Sequence, residues 1–149
     1  MRTSRRSVTA ALWTLLDAAY PWAFADQRAQ VPDDVMNFAQ PAMFLTKVKE
    51  SVVQSDRNFA LTSYVLHYAV IIFVKASGAV DAPTDTTEML IDDIIDAIDA
   101  ALSSPRIGEP QTLGSIVSNA WIEGEVLIDP PALFEQAAIF IPISVKVGV

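Results

Sequence analysis

Leu61-Thr-Ser-Tyr-Val-Leu-His-Tyr-Ala-Val-Ile-Ile-Phe-Val-Lys75 is the stretch on which the fold turns. It is β-branched and aromatic, and alternation splits it into two apolar sets. Tyr64, Leu66, Tyr68, Val70 and Ile72 share one face, and Val65, Ala69, Ile71 and Phe73 share the other. A strand apolar on both faces is covered on both faces. Helices of this chain can cover one side. The other side asks for a second layer, which in so short a chain points to a neighbouring subunit.

Strands and helices follow on either side. Ala42–Gln54 reads as a strand with several polar positions, Ser115–Asp129 as a third strand stopped by Asp129-Pro130-Pro131, and Gln136–Val147 as a fourth. In the last, Ile139, Ile141, Ile143, Val145 and Val147 alternate with Phe140, Pro142, Ser144 and Lys146. Pro142 removes one ladder donor, which places that strand at an edge or bulges it there. Ser4–Tyr20 carries Val8, Leu12, Leu15, Leu16 and Ala19 at helical spacing, with Thr3 or Ser4 as cap and Pro21 as stop. Asp85–Leu102 is a second amphipathic helix with Leu90, Ile94, Ala97, Ile98, Ala101 and Leu102 on its buried stripe. Residues 21–41, punctuated by Pro21, Pro32 and Pro41, read as a long partner-facing connection. The expectation is one α+β domain over residues 1–149: a mostly antiparallel four-stranded sheet with two helices packed on one face, in the order α-β-β-α-β-β.

Composition excludes more than it names. The chain has 149 residues, is 52% hydrophobic and carries a net charge of -8, which opposes a phosphate-gripping or polybasic membrane-surface role. With no cysteine, disulfides, thiolate zinc sites and cysteine nucleophiles are out. Arg2, Arg5 and Arg6 before Val8–Leu16, with Ala23-Phe24-Ala25 behind, imitate a secretory signal. Asp17 interrupts that run, and the same residues make a good amphipathic helix, so they are expected to belong to the fold. The longest apolar run, Tyr64–Val74, is too short for a membrane span and contains His67.

Few residues suggest chemistry. His67, the one histidine, lacks companions for a metal site and a nucleophile elbow for a triad, and is expected to be a core or interface histidine with a satisfied hydrogen bond. Asp92-Asp93-Ile94-Ile95-Asp96 resembles an aspartate-rich magnesium motif, but its second copy is missing, and a solvated acidic helix face explains it better. Glu123 and Glu125 flank Gly124 as a carboxylate pair, read as a solvent-facing strand edge. No Lys or Arg lies between Lys75 and Arg106, whereas Asp81, Asp85, Glu88, Asp92, Asp93, Asp96 and Asp99 do. Solubility, or repulsion of a polyanion that must pass without sticking, would explain such a bias. Trp13 and Tyr20, seven apart beside the main stripe of the first helix, read either as a widened core face or as a contact surface for another chain.

The order of several structural motifs carries a resemblance. Pro41-Ala42-Met43-Phe44 opens a strand after a long loop, Val70-Ile71-Ile72-Phe73-Val74 ends the next, and an amphipathic helix follows. Then come Gln111-Thr112-Leu113-Gly114, Trp121-Ile122-Glu123-Gly124-Glu125 and Ile139-Phe140-Ile141-Pro142-Ile143. Over about residues 5–147 the chain resembles the tail terminator (tail completion, or minor tail) proteins of long-tailed bacteriophages. The resemblance implies a virion protein without catalysis or cofactor, assembled in the host cytoplasm. It would form a homohexameric ring that caps the head-proximal end of the tail tube, stops its growth and joins tail to neck. Its implied partners are copies of itself, the tail tube protein and a neck or head-completion protein, with DNA as non-sticking cargo. On that reading Asp85, Glu88, Asp92, Asp96 and Asp99 are candidates for a channel-facing or exposed acidic face, and Trp13, Tyr20, Phe140 and Pro142 for inter-subunit contacts. An adjacent neck or head-completion protein and a small acidic ligand-binding module are the alternatives.

Overall fold

The computed structural model describes residues 4–27, 41–53, 63–75, 85–103, 109–129 and 136–148. Their order is α1 (Arg5–Ala19), β1 (Phe24–Asp26), β2 (Ala42–Val53), β3 (Ser63–Lys75), α2 (Asp85–Leu102), β4 (Asn119–Ile122), β5 (Leu127–Asp129) and β6 (Gln136–Val147).

Ser4 caps α1, its hydroxyl accepting from the Ser7 amide at 3.1 Å. At the other end Tyr20 turns to extended backbone before Pro21, and the Trp22 indole donates to the Leu16 carbonyl at 2.9 Å. Val8, Leu12 and Leu16 recur every four residues and are fully buried. In α2, Ile91, Ile94, Ile98 and Leu102 recur at intervals of three or four residues and are buried. These two stripes meet the Tyr64, Leu66, Tyr68, Val70, Ile72 and Val74 face of β3 and the matching face of β6 in one apolar core. Both helices therefore lie on one side of the sheet.

The sheet corrects the expected architecture. It is six-stranded and mixed rather than four-stranded and antiparallel, and its strands do not follow the order α-β-β-α-β-β. β3 is central, antiparallel to β2 on one side and to β6 on the other, from Tyr64↔Val147 to Lys75↔Gln136. Two departures account for the difference. First, three residues of the proline-punctuated connection, Phe24–Asp26, pair parallel with Ala42–Phe44. A three-residue strand is too short to show alternation. The rest of that connection, residues 28–40, lies outside the described residues, as do Pro130 and Pro131.

Second, the expected strand Ser115–Asp129 is a turn followed by two short strands, both antiparallel to β6. Leu113, Gly114 and Ser115 take left-handed backbone in succession, with the Thr112 carbonyl accepting from the amides of Ile116 and Val117. The break between β4 and β5 has its cause across the ladder. The Pro142 carbonyl accepts from the Glu123 amide at 3.0 Å, so Pro142 turns its backbone toward this edge, where a ladder donor is missing. Ile122 pairs with Ile143 and Leu127 with Phe140, so residues 123–126 face only two residues of β6 and bulge outward. Gly124 makes that bulge possible at φ 101°, a conformation that disfavours any side chain. The proline-bearing strand thus lies inside the sheet, and its irregularity is displaced onto the neighbouring edge.

Candidate functional site

The face of the sheet turned away from the helices is unlike the core face. At one end Phe24, Ala42, Phe44, Phe73 and Ala138 form a small second cluster, with Phe44 at 5.9 Å from both Phe24 and Phe73 between ring centroids. Toward the middle Val65, Ala69 and Ile71 are half-buried, and Phe140 is 37% exposed. Among the described residues no second layer lies over this part of the face.

His67 stands there between two serines. Its Nδ1 lies 3.0 Å from the Ser144 hydroxyl on β6 and its Nε2 3.2 Å from the Ser51 hydroxyl on β2. The imidazole ties three strands together, and Ser144, which is buried, has its partner. A hydrolytic triad would have a carboxylate on one ring nitrogen. A second serine takes that place here, so the group is a cross-strand brace.

On the other side, Asp92, Asp93, Asp96 and Asp99 are all exposed along α2. Asp85 and Glu88 belong to the first turn of that helix, and their side chains lie outside the described residues. Among the described residues no group of three or more His, Asp or Glu side chains converges to hold a metal ion. Within the same limit, no helix is long and apolar enough to cross a membrane.

The four candidate contact residues are not brought together. Trp13 and Tyr20 pack partly buried against the core from the helix side, and the Tyr20 ring meets that of Trp22 at a tilt of 51° with centroids 5.1 Å apart. Phe140 and Pro142 lie on the opposite face of the sheet, on β6. The Gln111-Thr112-Leu113-Gly114 motif is structural. Gln111 Nε2 donates to the Ala101 and Ser103 carbonyls at 3.0 and 3.3 Å, closing the C-terminal end of α2.

Charge also fastens α1 to the sheet. Arg5 Nε donates to both carboxylate oxygens of Glu50 at 2.9 Å, and the guanidinium lies 4.5 Å from the centre of the Tyr64 ring. The hydrogen bonds from Arg5 hold the Glu50 carboxyl below the usual range. Thr9 donates to the Arg5 carbonyl, so Tyr68 donates to the Thr9 hydroxyl, at 2.7 Å. Burial pushes the Tyr68 phenol up.

Glu123 and Glu125 lie exposed at the outer edge beside β6, as their strand-edge reading expected, but the edge of β2 was missed. Beyond Phe44, among the described residues, β2 pairs with β3 alone, and β5 pairs with β6 alone. Lys47-Val48-Lys49 was the available signal, because lysines beside a valine in a strand mark an edge.

No family model matches the chain, and no curated protein matches it. Among solved structures, a chain of the virion of a native gene transfer agent (GTA) particle has a similar fold. The TM-score is 0.53 at 12% identity, over 94% of this chain and 93% of that one. At that identity the likeness is one of fold.

Proposed function

We propose that this chain is a structural protein of a phage-like particle and, within it, the tail terminator. The observation that carries the virion reading is the fold shared over 94% of this chain with a chain of a GTA virion, and the terminator role adds to it the order of the sequence motifs. Near-complete coverage of both chains means that the whole domain corresponds, not one common motif. The site chemistry supports it: the histidine is braced by serines and the acids stand apart on a helix, so the reading needs no catalysis or cofactor.

In this role six copies close into a ring on the head-proximal end of the tail tube, stop its growth and present a surface to the neck. Closure requires two different, complementary surfaces on each subunit. The aspartates of α2 suit a lumen, where negative charge keeps DNA from adhering in transit.

Native mass spectrometry over a concentration series, with negative-stain images of the same samples and of mixtures with isolated tail tubes, tests the proposal. A six-subunit ring with a central hole, in solution or on the tube end, is the expected result. A chain that neither assembles nor binds tubes removes the reading. Binding to the neck in place of the tube end makes the chain a head-completion protein instead.

A further inference from the structure

We infer that the two edges of the sheet beyond which no described strand lies are the two halves of one head-to-tail contact between copies of this chain. The Lys47–Val52 edge of one copy receives the Glu123–Asp129 edge of the next. This names the subunit contact of the ring proposed above, and it rests on that reading only for closure.

Both edges combine exposed aliphatic side chains with unpaired charge of one sign, since Glu50 on the β2 edge is taken up by Arg5. On β2, Val48 and Val52 are each 62% exposed, and Lys47 and Lys49 flank Val48. On the opposite edge Leu127 is 56% and Ile128 46% exposed, and Glu123, Glu125 and Asp129 surround them. Large aliphatics left in water at both ends of one sheet are the unusual feature here. Among the described residues the salt bridge of Arg5 with Glu50 occupies the one acid of the Lys47–Val52 edge, and Glu123, Glu125, Asp129 and Lys49 have no ion pair. Lys47 lies near enough to Glu50 to help hold its carboxyl low.

The charges dictate the mode of pairing. Two lysine edges repel one another, and so do two acidic edges, which disfavours a two-fold dimer through either. Unlike edges attract, and their aliphatic side chains are covered when they meet. Such a contact is heterologous, and repeated it makes a ring or an open chain. The bulge between Lys47 and Lys49 and the bulge at residues 123–126 twist each edge away from flat, indiscriminate strand addition. Selectivity for the matching edge is thereby sharpened.

A charge-swap pair tests this with the full chain. One variant carries Lys47→Glu and Lys49→Glu, and the other Glu123→Lys, Glu125→Lys and Asp129→Lys. All five residues are exposed, and circular dichroism checks that each variant folds. Each variant by itself should associate about tenfold or more weakly than the parent chain at low salt, and the parent should weaken as salt rises. An equimolar mixture should recover assembly, with the two variants alternating, so that native mass spectrometry finds equal numbers of each. The chain has no cysteine, which gives a second readout. Mixed under mild oxidation, Val48→Cys and Ile128→Cys chains should form one disulfide-linked heterodimer. A chain carrying both changes should form a ladder. Charge variants that assemble like the parent, or a mixture that stays apart, overturn the assigned edges and leave the ring reading standing. Alternating open chains that never close keep the contact and remove the ring. A parent chain that never self-associates, in solution or on tail tubes, and gives no ladder overturns both.

Discussion

The two faces of β3 contrast in what covers them. Read from sequence, both are apolar. In the structure the Tyr64, Leu66, Tyr68, Val70, Ile72 and Val74 face is sealed by α1 and α2, whereas on the other Phe73 is buried in the small second cluster and Val65, His67, Ala69 and Ile71 are half-buried. One strand thus serves as core on one side and as a surface with a polar brace on the other. Hydrophobicity specifies that a residue seeks cover, and the chain's own elements suffice for one face among the described residues.

The contrast is broken most forcefully from the core side. Ile141→Ala, on the sealed face of β6, should cost about 2–5 kcal/mol through lost burial and an unfilled cavity. Val65→Ala on the other face should cost about 1 kcal/mol or less. Urea denaturation of the two variants reads the difference directly. Next in size is the brace. His67→Leu leaves the buried Ser144 hydroxyl without its partner and should cost about 1–3 kcal/mol. Adding Ser144→Ala should return part of that loss, and a double variant no more stable than the single one would count against the brace.

Smaller effects lie where α1 meets the sheet. Tyr68→Phe removes the hydrogen bond to Thr9 and should cost about 1 kcal/mol. Because burial raises the Tyr68 phenol, the folded chain holds that proton more tightly than the unfolded one. Its contribution is therefore complete below a pH of about 10, where an unfolded tyrosine titrates, and is lost as pH rises further. A thermal melt series above that pH should show a shallower decline for the phenylalanine variant. The Glu50 carboxyl behaves in the opposite sense. Its folded value is depressed, so the stabilisation by Arg5 is present above the ordinary glutamate value of about 4.3 and disappears as pH falls through the lower one. Glu50→Gln should flatten that acid limb, and the effect should be the smallest of the four, because the pair stands near water.

Legibility in the sequence followed periodicity. The second helix has the bounds that its apolar spacing predicts, and β6 those of its alternating isoleucines and valines. Both are long enough for a pattern to repeat. β1 has three residues and acquires its partner only from the tertiary approach of Ala42–Phe44. The interruption after Ile122 was hidden for another reason: Trp121-Ile122-Glu123-Gly124-Glu125 reads as continuous strand, and its break is imposed by Pro142 on a different strand. The edge of β2 escaped in part on the same ground. Lys47-Val48-Lys49 hints at an edge, but which strand lies beside it is a property of the assembled sheet. The acidic exterior of α2, by contrast, was plain, because helical spacing by itself separates Asp92, Asp93, Asp96 and Asp99 from Ile91, Ile94 and Ile98.

The pairing of β3 with β6 has a consequence for when the domain can form. These two strands provide the spine of the sheet, yet α2, β4 and β5 are made between them. A nascent chain that has reached α2 has a β2–β3 hairpin whose second edge is bare and strongly apolar. Only synthesis of residues 136–147 covers it and creates the support on which β4 and β5 lie. The acidic edge therefore does not exist on an unfinished chain. With the edge contact inferred above, subunits would become competent to join only after translation has passed β6, which would separate folding from assembly in time and spare the ribosome-bound chain premature association.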